Sequence, residues 1–389
     1  MGSSSELTER WANDPLWALL GGQGGTGMRA PFPYFGGKSK VAGEVWARFG
    51  DVPNYVEPFA GSTAVLLKRP DRHQWWERTE TINDADGMVA NFWRAVKHDP
   101  EAVAHFADWP VNENDLHARH GWLVGQRERI TAMLEGDAEW YDAKVAGWWL
   151  WGICLWIGSG WCSGEGPWVQ VDGKLVHLGD DGRGINRKLV HLGNDGMGIN
   201  RQLVHLGGGR GINRQLVHLG DDGRGINRKR VHLGDDGRGL AETWSDHLGG
   251  MMADLADRYR RVRVCCGDWT RPLTPSMTRL GTTGVFLDPP YGKGALDYAA
   301  GGNQGTETWG RAREWAIEHG DDPSYRIAIC GYQGHHEMPW NWREFAWRAQ
   351  GGYGGGLGNE AEENRHRECI WFSPHCIHPD TPRQGEMPL

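Results

Sequence analysis

Asp288-Pro289-Pro290-Tyr291 is the tetrapeptide in this chain with the clearest chemical content, and the strand-like run Val285-Phe286-Leu287 stands directly before it. Two prolines remove two backbone donors and stiffen the turn that follows the strand. What remains is a carboxylate, the Pro289 carbonyl and an aromatic face. All three sit at the carboxyl end of a strand, where open α/β sheets bind ligands. An exocyclic amine on a flat ring can place its hydrogens on Asp288 and Pro289 while the ring stacks on Tyr291. The plain alternative is a structural turn with a buried aspartate.

Such a corner needs a sheet behind it, and the 389 residues suffice for two or three domains with a sizeable core. Apolar runs that end in turn residues recur at Asn54–Val56, Glu80–Ile82, Arg261–Cys265, Val285–Leu287, Tyr325–Cys330 and Glu368–Phe372, and a helix is expected over Gly87–Val96. Residues 106–173 read as helical and tryptophan-rich. There, Trp148, Trp149, Trp151, Leu155 and Trp156 recur at helical spacing, so part of the strip is a core face. Residues 1–28 read as a flexible leader and 376–389 as a tail. The simplest organisation is one α/β domain made of residues 29–105 and 241–375, split by an insertion over 106–240.

Composition excludes several classes. Hydrophobic residues are 39% and charged residues 24%, which does not suit a disordered chain. The longest apolar run, Val145–Ile157, is too short to cross a bilayer, so no membrane role is expected. Seven cysteines without a CxxC pair exclude a disulfide scaffold or zinc ribbon and point to a reducing cytoplasm. Gly22-x-Gly24-x-x-Gly27 spells a dinucleotide fingerprint, but Pro31 and Pro33 follow where its helix would begin. Gly37-Lys38-Ser39 ends like a nucleotide-binding P-loop, yet Phe32 stands where that motif needs its first glycine.

The net charge of -8 argues against indiscriminate nucleic-acid binding, but the charge is unevenly spread. Between Lys174 and Leu240 there are 12 Lys/Arg against 7 Asp, which leaves -13 for the rest. This basic stretch is an internal repeat, LVHLGDDGRGINRK, starting at Leu175, Leu189, Leu203 and Leu216 with a truncated copy from Arg230. A unit that small cannot bury its own apolar face, so copies must stack or lie on a host. The repeat histidines His177, His191, His205, His218 and His232 lack the neighbours that complete a metal site, and no metal is expected. Arg183, Arg187, Arg201, Arg210, Arg214, Arg224 and Arg228 recur on Gly-rich turns and are candidates for DNA phosphate contact. Salt bridges to the neighbouring Asp pairs are the alternative.

Taken in order, these segments resemble the Dam-type adenine-specific DNA methyltransferases of the DPPY class. Pro33-Tyr34-Phe35-Gly36-Gly37-Lys38 resembles the family's N-terminal segment, and Val56-Glu57-Pro58-Phe59-Ala60-Gly61-Ser62-Thr63 resembles its cofactor loop. Asn83-Asp84-Ala85-Asp86 sits where the family places a ribose-binding acid. Cys266-Gly267-Asp268-Trp269 resembles the segment facing the cofactor's adenine, and Arg367–Pro374 resembles the closing strand.

The resemblance implies a Rossmann-like fold and S-adenosylmethionine as cofactor. It implies double-stranded DNA as partner, in the cytoplasm of a bacterial or phage-infected cell. It assigns cofactor contacts to Tyr34, Phe35, Gly37, Lys38, Glu57, Pro58, Phe59, Gly61, Ser62, Asp84, Asp268 and Trp269, and catalysis to Asp288, Pro289, Pro290 and Tyr291. The residues agree with it. The strand-to-helix turn at Glu57–Gly61 makes backbone N–H groups converge, Asp84 suits two ribose hydroxyls, and Lys38 offers a point charge to a carboxylate. Taken singly, Asp84 as a helix N-cap and Lys38 as a solvated surface lysine are the alternatives.

One position departs from the family. Its loop reads FxGxG, and Thr63 replaces the second glycine; a side chain there narrows the backbone's approach to the methionine carboxylate. The expected activity is methyl transfer to the exocyclic amine of a flipped adenine at a specific DNA site, with 106–240 as target-recognition insertion. An RNA or other nucleobase methylase, or a non-catalytic DNA-binding or decoy protein built on the repeats, are the other readings.

Overall fold

A parallel strand must be buried on both faces, and the runs around Tyr55 and Phe286 are apolar enough to satisfy that. In the computed structural model, which describes residues 28–34, 36–70, 78–156, 161–162, 168–171, 174–177, 241–290, 303–333, 337–347 and 368–378, β1 (Asn54–Glu57) and β6 (Thr283–Leu287) are buried at every position. They pair with each other in parallel near the middle of a seven-stranded sheet of order β5-β2-β1-β6-β7-β9-β8. The other strands are β2 (Thr79–Asp84), β5 (Val262–Cys266), β7 (Tyr325–Tyr332), β8 (Arg343–Ala346) and β9 (Glu368–Phe372). β5, β2, β1, β6 and β7 run parallel, and β9 runs antiparallel between β7 and β8. This is the mixed sheet of a Rossmann-like methyltransferase fold.

Its topology places the ligand crevice. From β1 the chain steps outward to β2 and then β5, and it returns to set β6 on the opposite side of β1. The order reverses between β1 and β6, so the crevice lies outside their carboxyl ends. Strands from 29–105 and from 241–375 interleave, so neither segment completes the sheet alone.

Helices follow their caps. Asp86 opens α3 (Gly87–His98) by accepting from Met88 N, and Asp99 opens α4 (Pro100–Ala107), where Pro100 takes the first turn. Asn112 caps α5 (Glu113–Gly136), and Asp142 caps α6 (Ala143–Leu155). The shorter α1 (Ala42–Phe49) and α2 (Ala64–Leu67) precede them, and α7 (Ala241–Tyr259), α8 (Pro275–Thr278) and α9 (Asn303–Gly320) follow. Arg94 on α3 ties the helical region to the sheet. Its guanidinium donates to the carbonyls of Leu134, Asp137, Trp140 and Val264.

Trp149, Trp151 and Leu155 are buried, as the helical spacing predicts, while Trp148 and Trp156 are half-buried. Trp149 meets Phe32 edge-on and Phe92 at a tilt, which joins the helices to the N-terminal segment. The region read as helical through 173 ends differently, because β3 (Trp168–Val171) and β4 (Lys174–His177) form an antiparallel hairpin. β4 carries Leu175-Val176-His177, the strand-like piece of the first repeat. The rest of the first copy and the later copies, with all seven repeat arginines, lie outside the described residues.

Candidate active site

The chain leaves β6 at Asp288, with Pro289 buried and Pro290 half-buried behind it. The Asp288 carboxylate turns toward the N-terminal segment, where Lys38 Nζ lies 2.8 Å from its Oδ2 and donates to Gly36 O at 2.7 Å. Lys38 is only 3% exposed, so the solvated-lysine reading fails. Its ammonium points at Asp288. Burying an ammonium is expensive unless a carboxylate lies beside it, and Asp288 is that carboxylate. Asp288 Oδ1 is buried without a hydrogen-bond partner, so one acceptor of the corner is left over.

The bend after β1 is built against the same segment. Gly61 has φ +46°, and a Cβ there would sit 2.5 Å from the Tyr34 ring, so only glycine fits. Its N–H donates to Asp84 Oδ2 at 2.8 Å, and its carbonyl accepts from Trp93 Nε1 at 2.9 Å. Glu57 is buried and accepts from Tyr55 OH at 3.0 Å. Burial pushes its carboxyl well up, with the nearby Asp288 and Asp84 adding to the shift. Gly37 and Ser62 face each other across the bend.

Thr63 takes a left-handed conformation, φ +51°, as a second glycine would. Its side chain is fully buried and bonds Tyr259 OH and the Ser62 carbonyl. The expected narrowing of the loop is therefore corrected, since the hydroxyl turns into the core and not toward a ligand.

Asp84 ends β2 beside this bend. It accepts from Gly61 N and, at 2.8 Å, from Asp86 N. Asp86, not Asp84, caps α3. Desolvation and the neighbouring Asp86 raise the Asp84 carboxyl to about 7, against the lowering by its two backbone donors and Arg127. Each carboxylate oxygen carries a second lone pair, so hydroxyl donors can still be received. Asn83, to which the sequence alone gives no role, donates to Pro58 O at 3.1 Å and Gly267 O at 3.0 Å. One buried amide thus holds together the ends of β1, β2 and β5. Nothing in the residue pattern distinguishes that clamp from an ordinary strand asparagine.

Beyond β5, Asp268 is exposed and accepts from Thr270 N and Oγ1. Burial works against its charge, but those hydrogen bonds and Arg311 keep the carboxyl below its usual range. Trp269 is buried and stacks on Phe59, with ring centroids 5.8 Å apart and planes 21° apart. Tyr34, Lys38, Glu57, Pro58, Phe59, Gly61, Ser62, Asp84, Asp268, Trp269 and Asp288 to Pro290 thus belong to strand ends and loops at one end of the sheet. Phe35 and Tyr291 lie outside the described residues. The residues present fit a nucleoside-bearing sulfonium: the Asp84 carboxylate, the Phe59–Trp269 aromatic pair and the Gly61 bend converge at the switch point.

Against the models of known families, residues 34–119 match the D12 class N6 adenine-specific DNA methyltransferase. That stretch of the chain is similar to this family. The matched part runs from the Tyr34 segment through the Glu57–Gly61 bend and Asp84 into α5. No curated protein sequence matches the chain. D12 class methyltransferases use S-adenosylmethionine and methylate adenine in DNA. No group of three metal-ligating side chains occurs among the described residues, and no described helix is long and apolar enough to cross a membrane. All seven cysteines are free.

Proposed function

We propose that the protein transfers the methyl group of S-adenosylmethionine to N6 of one adenine, flipped out of duplex DNA at a specific site. The observation that carries this reading is the Lys38–Asp288 pair at the mouth of the β1/β6 crevice, within reach of the Glu57–Gly61 bend. Bound cofactor supplies an electrophilic methyl on a positively charged sulfur. Gly61 and Ser62 present backbone to it, Asp84 receives its ribose hydroxyls, and Phe59, Asp268 and Trp269 face its base.

Asp288 and the Pro289 carbonyl accept the two amine hydrogens, which draws the nitrogen lone pair out of ring conjugation and toward the methyl. Lys38 fixes the direction of the Asp288 carboxylate. Tyr291 stacks on the extruded ring. No covalent enzyme intermediate is required, so the rate comes from orientation and electrostatics. Residues 106–240 contact the duplex, with the repeat arginines Arg183, Arg187, Arg201, Arg210, Arg214, Arg224 and Arg228 on phosphates.

Nucleoside mass spectrometry of duplex DNA incubated with protein and cofactor tests the reading. N6-methyladenine is the expected product. Product only on RNA, or none on either, overturns it. Deleting residues 175–240 should weaken DNA affinity and leave cofactor binding intact.

A further inference from the structure

One stripe of α5 reaches two of the loops that face the crevice. Arg127, Thr131 and Glu135 recur every four residues, so they share a face of the helix. Thr131 packs closely on the N-terminus of α3, where a Cβ on Gly87 would sit 2.5 Å from its Oγ1. Glu135 approaches the loop after β5. A Cβ on Gly267 would lie 2.9 Å from its Oε1, and Arg271 Nη1 is 4.0 Å away. Arg127 meets the loop after β2, where its Nη1 donates to Asp86 Oδ1 at 3.3 Å. That oxygen also accepts from Met88 N at the start of α3, and Asp86 N in turn donates to Asp84 Oδ1.

The same Arg127 nitrogen donates to the carbonyl of Cys162. Cys162 belongs to the insertion and takes φ +55°, a conformation uncommon outside glycine. Its neighbour Trp161 is anchored on α6, with its ring against Gly152 and its Nε1 donating to Trp149 O at 3.1 Å. The hairpin of β3 and β4 follows this turn and lies against α5. Arg127 and Asp86 are both half-buried, so salt and water screen their pair only in part. One guanidinium thus joins the Asp84–Asp86 loop to a turn of the insertion.

We propose that Arg127 is a positioning residue for the cofactor, clasping the Asp84–Asp86 loop to the Cys162 turn and so fixing the carboxylate that receives the ribose. This rests on the methyl-transfer reading above. Arg127 acts through Asp86 and touches neither ribose nor base. The titratable groups that face Asp84 are Asp86 on its own loop, Glu57 on β1, Cys266 on β5 and Arg127 on α5. Of these, Arg127 alone is a cation. Burial and Asp86 push the Asp84 carboxyl up to about 7, and Arg127 works against that rise. A protonated carboxyl has less capacity to accept hydroxyls, so the clasp also sets the pH range over which the ribose is held.

Calorimetric titration of the full chain with S-adenosylmethionine across pH tests this in wild type, Arg127→Met and Arg127→Lys. Wild type should bind less tightly as pH falls through about 7. Arg127→Met should bind about 10-fold more weakly, with the acid limb displaced to higher pH. Arg127→Lys restores the charge without the planar fork, so the limb should return toward that of wild type and the affinity recover in part. A Met variant with the wild-type affinity overturns the clasp, as does a weaker one whose limb has not moved. A Lys variant no tighter than Met overturns it too. If Arg127→Met fails to fold, the Lys variant alone decides: a limb at the wild-type pH supports the clasp, and one displaced upward overturns it. Wild type that binds no S-adenosylmethionine overturns the methyl-transfer reading instead.

Discussion

β2 carries an acid near each of its ends, and the two are treated in opposite ways. Glu80, toward the amino end, meets two arginines: Arg69 Nη1 at 2.9 Å and Arg258 at 2.6 and 2.9 Å. Burial works against its charge, but both guanidiniums keep the carboxyl below its usual range. Asp84, at the carboxyl end, receives only backbone N–H groups and sits beside another acid, so its carboxyl rises to about 7. The same contrast holds across the sheet. At one end Glu80 is held between Arg69 and Arg258, which serves folding. At the other, Asp288 keeps an unpaired oxygen beside Lys38, and Glu57 and Glu368 are raised by burial. Incomplete satisfaction at a strand's carboxyl end marks where chemistry is done.

Four substitutions probe that contrast, beginning with the largest effect. Asp288→Ala should lower methyl transfer by about 10³-fold or more, because it removes the acceptor aimed at the amine. Cofactor affinity measured by calorimetry should stay within a few-fold, and a comparable loss of both would tie Asp288 to the fold instead. Glu80→Ala should do the reverse. It strands the buried Arg69 and the half-buried Arg258 guanidiniums and costs about 3–5 kcal/mol in denaturant unfolding, while the folded fraction keeps its turnover.

The Asp84 contribution is a matter of pH. Its carboxyl ionises near 3.8 when unfolded and near 7 when folded, so the folded state holds the extra proton between those values. Stability from this group is therefore full below about 4 and declines as pH rises toward 7. Thermal midpoints compared at pH 5 and pH 8 should drop less in Asp84→Asn than in wild type. An equal drop would show that Asp84 is not the group responsible.

Thr63→Gly should have the smallest effect, a net loss of about 1 kcal/mol. It relieves a left-handed threonine but strands the buried Tyr259 hydroxyl. Adding Tyr259→Phe should return the double variant to wild-type stability or above. A single variant already more stable than wild type would mean that relief of backbone strain outweighs the lost hydrogen bond.

Much of this was legible beforehand because the loops are local. Asp288-Pro289-Pro290, the Glu57–Gly61 bend and Asp84 each follow a short apolar run, and the run with its turn residues is visible in one dimension. Lys38 was legible as a residue but not in its direction. Its partner lies 250 positions away, and only the return of the chain from β5 to β6 brings them together. Glu368 lay inside a segment that was read merely as a closing strand. An antiparallel strand reverses which of its ends faces the crevice, and a single strand does not announce its direction. The helical strip around Trp149 was readable from its spacing, whereas the hairpin formed by β3 and β4 was not, since Gly-rich turns and short strands carry little periodicity.

By itself, then, the sequence determined every strand of the seven-stranded sheet except β8, which turns are stiff, where glycine is obligatory and which acids end up at strand ends, because these follow from local sterics and apolar patterning. The tertiary structure alone decided which charges meet. Ion pairing and desolvation depend on distances of a few ångströms between residues far apart in the chain. The order β5-β2-β1-β6-β7-β9-β8 sets those distances, placing Lys38, Asp288 and Glu368 at one end of the sheet and the Glu80 arginine pair toward the other.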